Sequence, residues 1–218
     1  IIETLSGRGV SHLFTIGGND SAETAYTIGL ESRARGYDLT VMNVPKTIDN
    51  DLVGTDHSPG YGSAARFVAL ATMGAGRDAE AMGQASRVTI IEVMERDSGW
   101  LAASSALARR EERDAPHVIC VTEAPVLEDL FVVQMEDAYR EFGFAVAVVA
   151  ENARGPSGVL GGEDEPWYVD DFGHAYHDGP ARYLAGLASR RLGVRARYEK
   201  PGTIQRSMMA CVSATDAR

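Results

Sequence analysis

The heptad Pro45-Lys46-Thr47-Ile48-Asp49-Asn50-Asp51 brings together the residue types that phosphoryl transfer requires. Lys46 can neutralise phosphate oxygens, Thr47 can donate a hydrogen bond to one, and a carboxylate can take the proton from an attacking hydroxyl. Little more is needed, because catalysis of that transfer is mostly positioning and charge stabilisation. The heptad follows the apolar run 39–44. A buried strand there would deliver it to the carboxyl edge of a sheet, where open α/β folds bind ligands. An isolated Asp-x-Asp is as readily an acidic loop capping the next helix; the whole heptad is far more specific.

The same placement recurs along the chain. A short buried strand over 12–16 runs into Gly17-Gly18-Asn19-Asp20-Ser21, and a helical pattern follows over 22–35. Strand, glycine pair and helix start let backbone N–H groups and the helix dipole hold a phosphate, although a glycine pair alone serves equally for a tight turn. Glu95-Arg96 follows the β-branched run 87–94, and Glu123 follows the strand expected at 117–122. Groups of this kind on one edge of a parallel sheet would converge on a site.

The elements that must position them alternate. Residues 1–9 read as the end of a helix. Further helices are expected at 58–83, 98–111, 127–142 and 180–192, with strands at 144–150 and near 194–198. Such alternation implies a mostly parallel sheet with helices on both faces. Residues 151–178 are polar and glycine-rich, with acidic positions at 163–165 and 170–171, and read as a long mobile excursion.

The chain has 218 residues, 44% hydrophobic and 24% charged, the composition of a soluble globular protein with room for one large or two modest cores. Its formal net charge of -10 argues against nucleic-acid and anionic-membrane partners, which want basic surface. It leaves phosphate ligands open, since a local arginine cluster works inside an acidic protein. Cys120 and Cys211 lie in apolar contexts without metal-ligand spacing, which suits reduced thiols and a cytoplasmic location. No apolar run reaches the ~18 residues that a membrane helix needs. The chain starts at Ile1, inside a helical pattern, and reads as a fragment.

Five segments together resemble the phosphofructokinase family, in the family's order from about residue 10 onward: GGNDS at 17–21, PKTIDND at 45–51, EVMERDSGWLA at 92–102, VTE at 121–123 and PGTIQRS at 201–207. The resemblance implies two Rossmann-like lobes with mostly parallel sheets and an active-site cleft between them. It places 1–60 plus 204–218 in a phosphoryl-donor lobe and 61–203 in a sugar-phosphate lobe. The family's opening Gly-rich loop and closing helices have no counterpart, which agrees with a fragment whose isolated activity would be low. The activity implied is phosphoryl transfer to the 1-hydroxyl of fructose 6-phosphate, a reversible step of glycolysis, with Mg²⁺.

Roles carry over to the matching positions. Asp49 would be the base, with Thr47 and Arg96 on the transferring phosphate. Gly17, Gly18, Asp20 and Lys46 would bind the donor. Met94 and Glu123 would contact the sugar, and Arg206 its 6-phosphate. Arg87 and Arg197 would reach the 6-phosphate in a neighbouring subunit, implying a homodimer or homotetramer with shared sites. Guanidinium suits those places because its fork matches phosphate oxygens. Asn19 and Asp51 would belong to the Mg²⁺ surroundings.

Family members use ATP or pyrophosphate. ATP users resemble GGDG and PGTIDND; Asp20 and Lys46 stand in place of those two glycines and point to pyrophosphate. Two departures are set against activity. Asn19 replaces a Mg²⁺-associated aspartate, and hard cations prefer carboxylate. Glu95 replaces the glycine before Arg96, adding charge and bulk near bound phosphate. The rival readings are therefore an ATP-dependent phosphofructokinase and a non-catalytic sugar-phosphate-binding or regulatory paralogue.

Overall fold

A computed structural model describes residues 1–160, 168–169, 175–176 and 179–217. Contacts divide the chain into two units, Ile1–Tyr61 and Gly62–Arg218. In the first, α1 (Ile2–Gly7) precedes β1 (His12–Gly17), α2 (Asn19–Ala34) and β2 (Thr40–Pro45). β1 and β2 pair in parallel, from His12 opposite Thr40 to Gly17 opposite Pro45. Burial alternates along both strands, as it must where successive side chains point to opposite faces. On the more covered face Thr15 Oγ1 donates to Asn43 Oδ1 at 2.7 Å, so a polar cross-strand pair is satisfied internally. The helix begins at Asn19, one turn earlier than the apolar pattern suggested. Gly18 is the last extended residue (φ -84, ψ -155), and Asp20 in the first turn suits the positive end of the dipole.

The second unit opens with α3 (Tyr61–Ala81), whose first residue falls at the division, and continues through β3 (Val88–Val93), α4 (Trp100–Ser104), β4 (Val118–Cys120), α5 (Glu128–Phe142) and β5 (Ala145–Ala150). Two short antiparallel ladders follow, β6 (Arg154–Gly155) with β7 (Gly158–Val159) and β8 (Tyr168–Val169) with β9 (Ala175–Tyr176). Then come α6 (Pro180–Leu192) and β10 (Ala196–Glu199). The larger sheet runs β10-β3-β5-β4, and every pairing is parallel. All six residues of β3 and of β5 are buried, as parallel strands covered on both faces are; β5 is apolar throughout, while β3 also buries Thr89 and Glu92. α5 buries Phe131, Val132 and Met135, and α6 buries Leu184 and Leu187. Side chains of that size contribute about 1.5–3 kcal/mol each when fully buried.

Three expectations change, and a fourth falls largely outside the described residues. The helix expected over 98–111 is only α4 and a 3-10 turn, Ser105–Ala108. Its serines explain the stop: Ser104 Oγ donates to Leu101 O (2.7 Å) and Ser105 Oγ to Ala102 O (2.5 Å), competing with the backbone ladder. Residues 204–218, expected with the first lobe, group with the second unit. There Asp216 Oδ2 accepts the Ser63 N–H (2.7 Å) and Ser213 Oγ (2.9 Å), setting a carboxylate at the start of α3 where the dipole favours it. The strand-end groups do not share one sheet edge, since β1 and β2 form a sheet separate from β3, β4, β5 and β10. Of the excursion over 151–178, residues 161–167, 170–174 and 177–178, with its acidic positions and its expected mobility, lie outside the described residues.

Cys120 and Cys211 are buried free thiols, and burial pushes the Cys120 pKa up to about 12, so that thiol is a poor nucleophile. No helix among the described residues is long and apolar enough to cross a membrane.

Candidate functional site

Within the first unit the two sequence motifs are neighbours. The β1–β2 register brings Gly17 opposite Pro45, and one residue further the Lys46 N–H donates to Gly17 O at 2.9 Å. The Gly18 backbone lies close enough that an added Cβ would sit 3.5 Å from Thr47 Cβ and 3.6 Å from Lys46 O. Gly17 has no room for a side chain at all, because a Cβ there would lie 2.0 Å from Ser21 Oγ. The start of the 16-residue α2 is thus held beside Lys46 and Thr47. Helix-start N–H groups, a helix dipole, an ammonium and a hydroxyl in one place can hold a phosphate.

The Asp49-Asn50-Asp51 loop is braced by its middle residue, which sequence reasoning passed over. Asn50 has φ 55, a left-handed conformation that asparagine tolerates better than most residues. Its Oδ1 accepts the Ser58 N–H at 2.8 Å. Thr47 Oγ1 accepts the Asp49 N–H at 3.2 Å, so hydroxyl and carboxylate belong to one turn. The only signal in the sequence was an asparagine between two acids, a type that favours turns.

Asn19 Nδ2 donates to Asp51 Oδ2 at 2.7 Å, and Asp51 Oδ1 is buried without a hydrogen-bond partner. An orphaned carboxylate oxygen beside an amide fits a hard divalent cation. No group of three His, Cys, Asp or Glu able to hold a metal occurs among the described residues. Mg²⁺ needs none, since it is usually bound through one or two carboxylates together with substrate phosphates.

In the second unit β3 runs directly into Met94, Glu95 and Arg96. Met94 is half-buried, while Arg96, Glu123 and Arg206 are exposed. Glu95 is fully buried, and its structure corrects the expectation of a charge crowding phosphate. Oε2 accepts the Leu101 N–H (2.7 Å) and Oε1 the Ala102 N–H (2.9 Å). The carboxylate satisfies two donors at the start of α4, which every helix leaves unpaired. Glu123 Oε1 accepts the Gly99 N–H at 2.8 Å, and a Cβ at Gly99 would lie 2.5 Å from Glu123 Oε2 and from Val121 Cβ. Gly99 therefore orients the expected sugar-binding carboxylate, a role its place in the sequence did not reveal.

Arg87 and Arg197 occupy a different edge. Arg87 precedes β3, and Arg197 on β10 pairs with Thr89 in the sheet register, so both lie toward the amino ends of the strands. Met94 and Arg96 follow the carboxyl end of β3, about 20 Å away for a strand of six residues. Arg87 Nε donates to Gly83 O at 2.6 Å, and Arg197 forms an ion pair with Asp78.

The sequence matches the family described as Phosphofructokinase over residues 1–216. The chain belongs to the phosphofructokinase family. It is 36% identical over 217 residues to a pyrophosphate–fructose 6-phosphate 1-phosphotransferase of Halomonas elongata, covering 99% of this chain and 51% of that relative. Among solved structures, the pyrophosphate-dependent phosphofructokinase of Marinobacter aquaeolei superposes with a TM-score of 0.80 at 33% identity, over 99% of this chain and 50% of that one. The corresponding enzyme of Nitrosospira multiformis gives 0.82 at 30% identity with the same coverage. The chain spans about half the length of the relatives it matches, and the α/β architecture with parallel sheets is theirs.

Proposed function

We propose that the protein containing this chain transfers a phosphoryl group from pyrophosphate to the 1-hydroxyl of fructose 6-phosphate. Asp49 takes the hydroxyl proton as the sugar oxygen bonds to phosphorus. The bond to the bridging oxygen of pyrophosphate breaks, and inorganic phosphate leaves. Gly17, Gly18, Asp20 and Lys46 hold the donor, while Thr47 and Arg96 steady the transferring group. Met94 and Glu123 hold the sugar, and Arg206 its 6-phosphate. Asp51, with the Asn19 amide oxygen, would hold Mg²⁺, which when bound neutralises phosphate oxygens.

The observation that carries the donor assignment is Asp20 and Lys46 on the turn closed by the Lys46–Gly17 hydrogen bond. An acidic side chain in the first turn of α2 repels the α-phosphate of a nucleotide. A lysine on the adjoining loop supplies charge to a compact anion. The relatives named as acting with pyrophosphate, matching 99% of the chain, support the same donor. Arg87 and Arg197, at the edge away from Met94 and Arg96, serve a neighbouring copy in a homodimer or homotetramer. Steady-state kcat/KM with pyrophosphate and with ATP tests the reading: pyrophosphate should be preferred by at least an order of magnitude. A preference for ATP would overturn the donor, and binding of fructose 6-phosphate without turnover by either donor would favour a non-catalytic paralogue.

A further inference from the structure

Arg206 projects from a segment that is fastened to β3 at both ends, and the two fastenings use buried side chains that no assigned role employs. The β10–β3 ladder stops with Glu199 opposite Ile91. One residue on, Lys200 Nζ meets Glu92 Oε1 at 2.5 Å. Glu92 is only 2% exposed, and its Oε2 also accepts the Ala181 N–H of α6 at 3.1 Å. The segment then turns through Gly202–Arg206. At its far end Gln205, also 2% exposed, faces the Met94 backbone. Gln205 Oε1 accepts the Met94 N–H at 3.0 Å, and Gln205 Nε2 donates to Met94 O at 2.7 Å.

A primary amide that satisfies both backbone polar groups of one residue reproduces what a neighbouring strand would have given. It does so where β10 has already left the sheet. It also has a metric consequence. Arg206 is bonded to Gln205, so its Cα lies about 3.8 Å from that of the clipped residue. Met94 is bonded to Glu95, and Arg96 follows. The amide therefore fixes the spacing between the segment bearing Arg206 and the segment bearing Met94 and Arg96, although 111 residues separate Met94 from Gln205 in sequence.

We propose that Gln205 is a positioning residue for the acceptor: its amide clip, with the Glu92–Lys200 ion pair as second anchor, sets the distance at which a phosphorylated sugar is gripped at both ends. The proposal rests on the reading of Met94 and Arg206 as sugar-phosphate contacts. A ligand held at its 6-phosphate by Arg206 and presented at its 1-hydroxyl near Arg96 is sensitive to that distance. A displacement of about 1 Å can cost as much as a hundredfold in such a site. The donor side, built on the other unit's turn, has no such dependence.

The test uses Gln205→Met, which keeps length without polar atoms, and Gln205→Glu, which keeps an acceptor for the Met94 N–H but sets a carboxylate oxygen against Met94 O. Arg206→Ala is the reference. KM for fructose 6-phosphate, KM for pyrophosphate, kcat and Tm are measured for each, with direct fructose 6-phosphate binding by calorimetry. Both Gln205 variants should raise the sugar-phosphate KM and Kd by about tenfold or more and leave the pyrophosphate KM within about twofold. If neither folds, Gln205→Asn, shorter by one methylene with both polar atoms kept, should show the same selective loss. A lowered Tm with unchanged sugar-phosphate KM would overturn the proposal and leave the clip as packing. If Arg206→Ala itself leaves sugar-phosphate affinity unchanged, the reading of Arg206 fails and this proposal falls with it. If Arg206→Ala weakens binding and the Gln205 variants do not, only the proposal falls.

Discussion

The side-chain amide of Asn19 donates to Oδ2 of Asp51 across 2.7 Å, joining the first turn of α2 to the end of the Asp-Asn-Asp loop. Asn19→Asp would replace a donated hydrogen bond with two adjacent carboxylates. Without metal the variant should be less stable, by about 1 kcal/mol for a bond of this exposure, and the deficit should vanish on adding Mg²⁺. With metal, the second carboxylate should lower the Mg²⁺ concentration that gives half-maximal turnover. Melting curves in chelator and in Mg²⁺ check the first part, and a Mg²⁺ titration of rate checks the second. Equal Tm deficits with and without Mg²⁺ would show that no cation binds between these residues.

Asp49→Ala should lower kcat by roughly 10²–10⁴, the usual contribution of a general base. Fructose 6-phosphate should bind within a few-fold of the unchanged protein. A kcat within a few-fold of the original would remove Asp49 from the role of base.

Asn50 separates two effects of the loop's geometry. Asn50→Gly keeps the left-handed backbone but loses the bond to the Ser58 N–H. Asn50→Ala loses the bond and adds about 1–2 kcal/mol of left-handed strain. Both should lower kcat by loosening Asp49, and the alanine variant should melt at the lower temperature. Identical melting of the two would mean that the loop relaxes out of the left-handed conformation.

His117 links stability to pH. Burial holds its pKa below the usual 6.5, and its Nδ1 accepts the Val146 N–H at 3.0 Å, which a protonated ring could not do. Its ring packs 5.5 Å from Phe142 and 5.2 Å from Phe144. The native state therefore binds fewer protons than the unfolded chain. Its contribution is full above pH 6.5 and is lost as pH falls through the lowered native value. Tm should drop between pH 7 and pH 5, by about 2–4 °C for each kcal/mol lost. His117→Phe should melt lower at neutral pH and show a shallower slope. Parallel slopes would place the acid sensitivity elsewhere.

What the sequence made legible was whatever follows from neighbours in the chain. The apolar stretch of β5 announces a strand because a covered parallel sheet leaves no polar alternation. By contrast β1 and β2, expected as buried strands, alternate instead and leave Phe14, Ile16, Met42 and Val44 exposed. The motifs that follow those strands could be located for the same reason, as neighbours in the chain. What stayed hidden depends on distant partners. Nothing near Glu95 says that its carboxylate turns onto the Leu101 and Ala102 N–H groups rather than toward a ligand. Nothing near Gln205 names Met94, and nothing near Asp216 names Ser63, whose contact draws 204–218 into the second unit. The early stop of α4 was also missed, because serines fit a helical pattern until their hydroxyls bond back to it.

If Asp20 and Lys46 set the proposed donor preference, their contributions should be separable. Asp20 stands in the first turn of α2, and Lys46 stands one residue past β2, with its N–H on Gly17 O. Asp20→Gly alone removes the repulsion toward a nucleotide α-phosphate but leaves the lysine in the space that phosphate needs. Lys46→Gly alone opens the space and leaves the repulsion. Only the double substitution does both, while it removes the cation that favours pyrophosphate. The pyrophosphate kcat/KM should therefore fall in both variants that lose Lys46, by about tenfold or more for a charge-assisted contact of about 1.5–3 kcal/mol. ATP turnover should rise above background only in the double variant, so the two effects are not additive. Measuring kcat/KM for both donors across the four proteins completes the cycle. ATP use by Asp20→Gly alone would show that Lys46 does not occupy the nucleotide's place. Unchanged pyrophosphate use without Lys46 would show that the ammonium does not touch the donor.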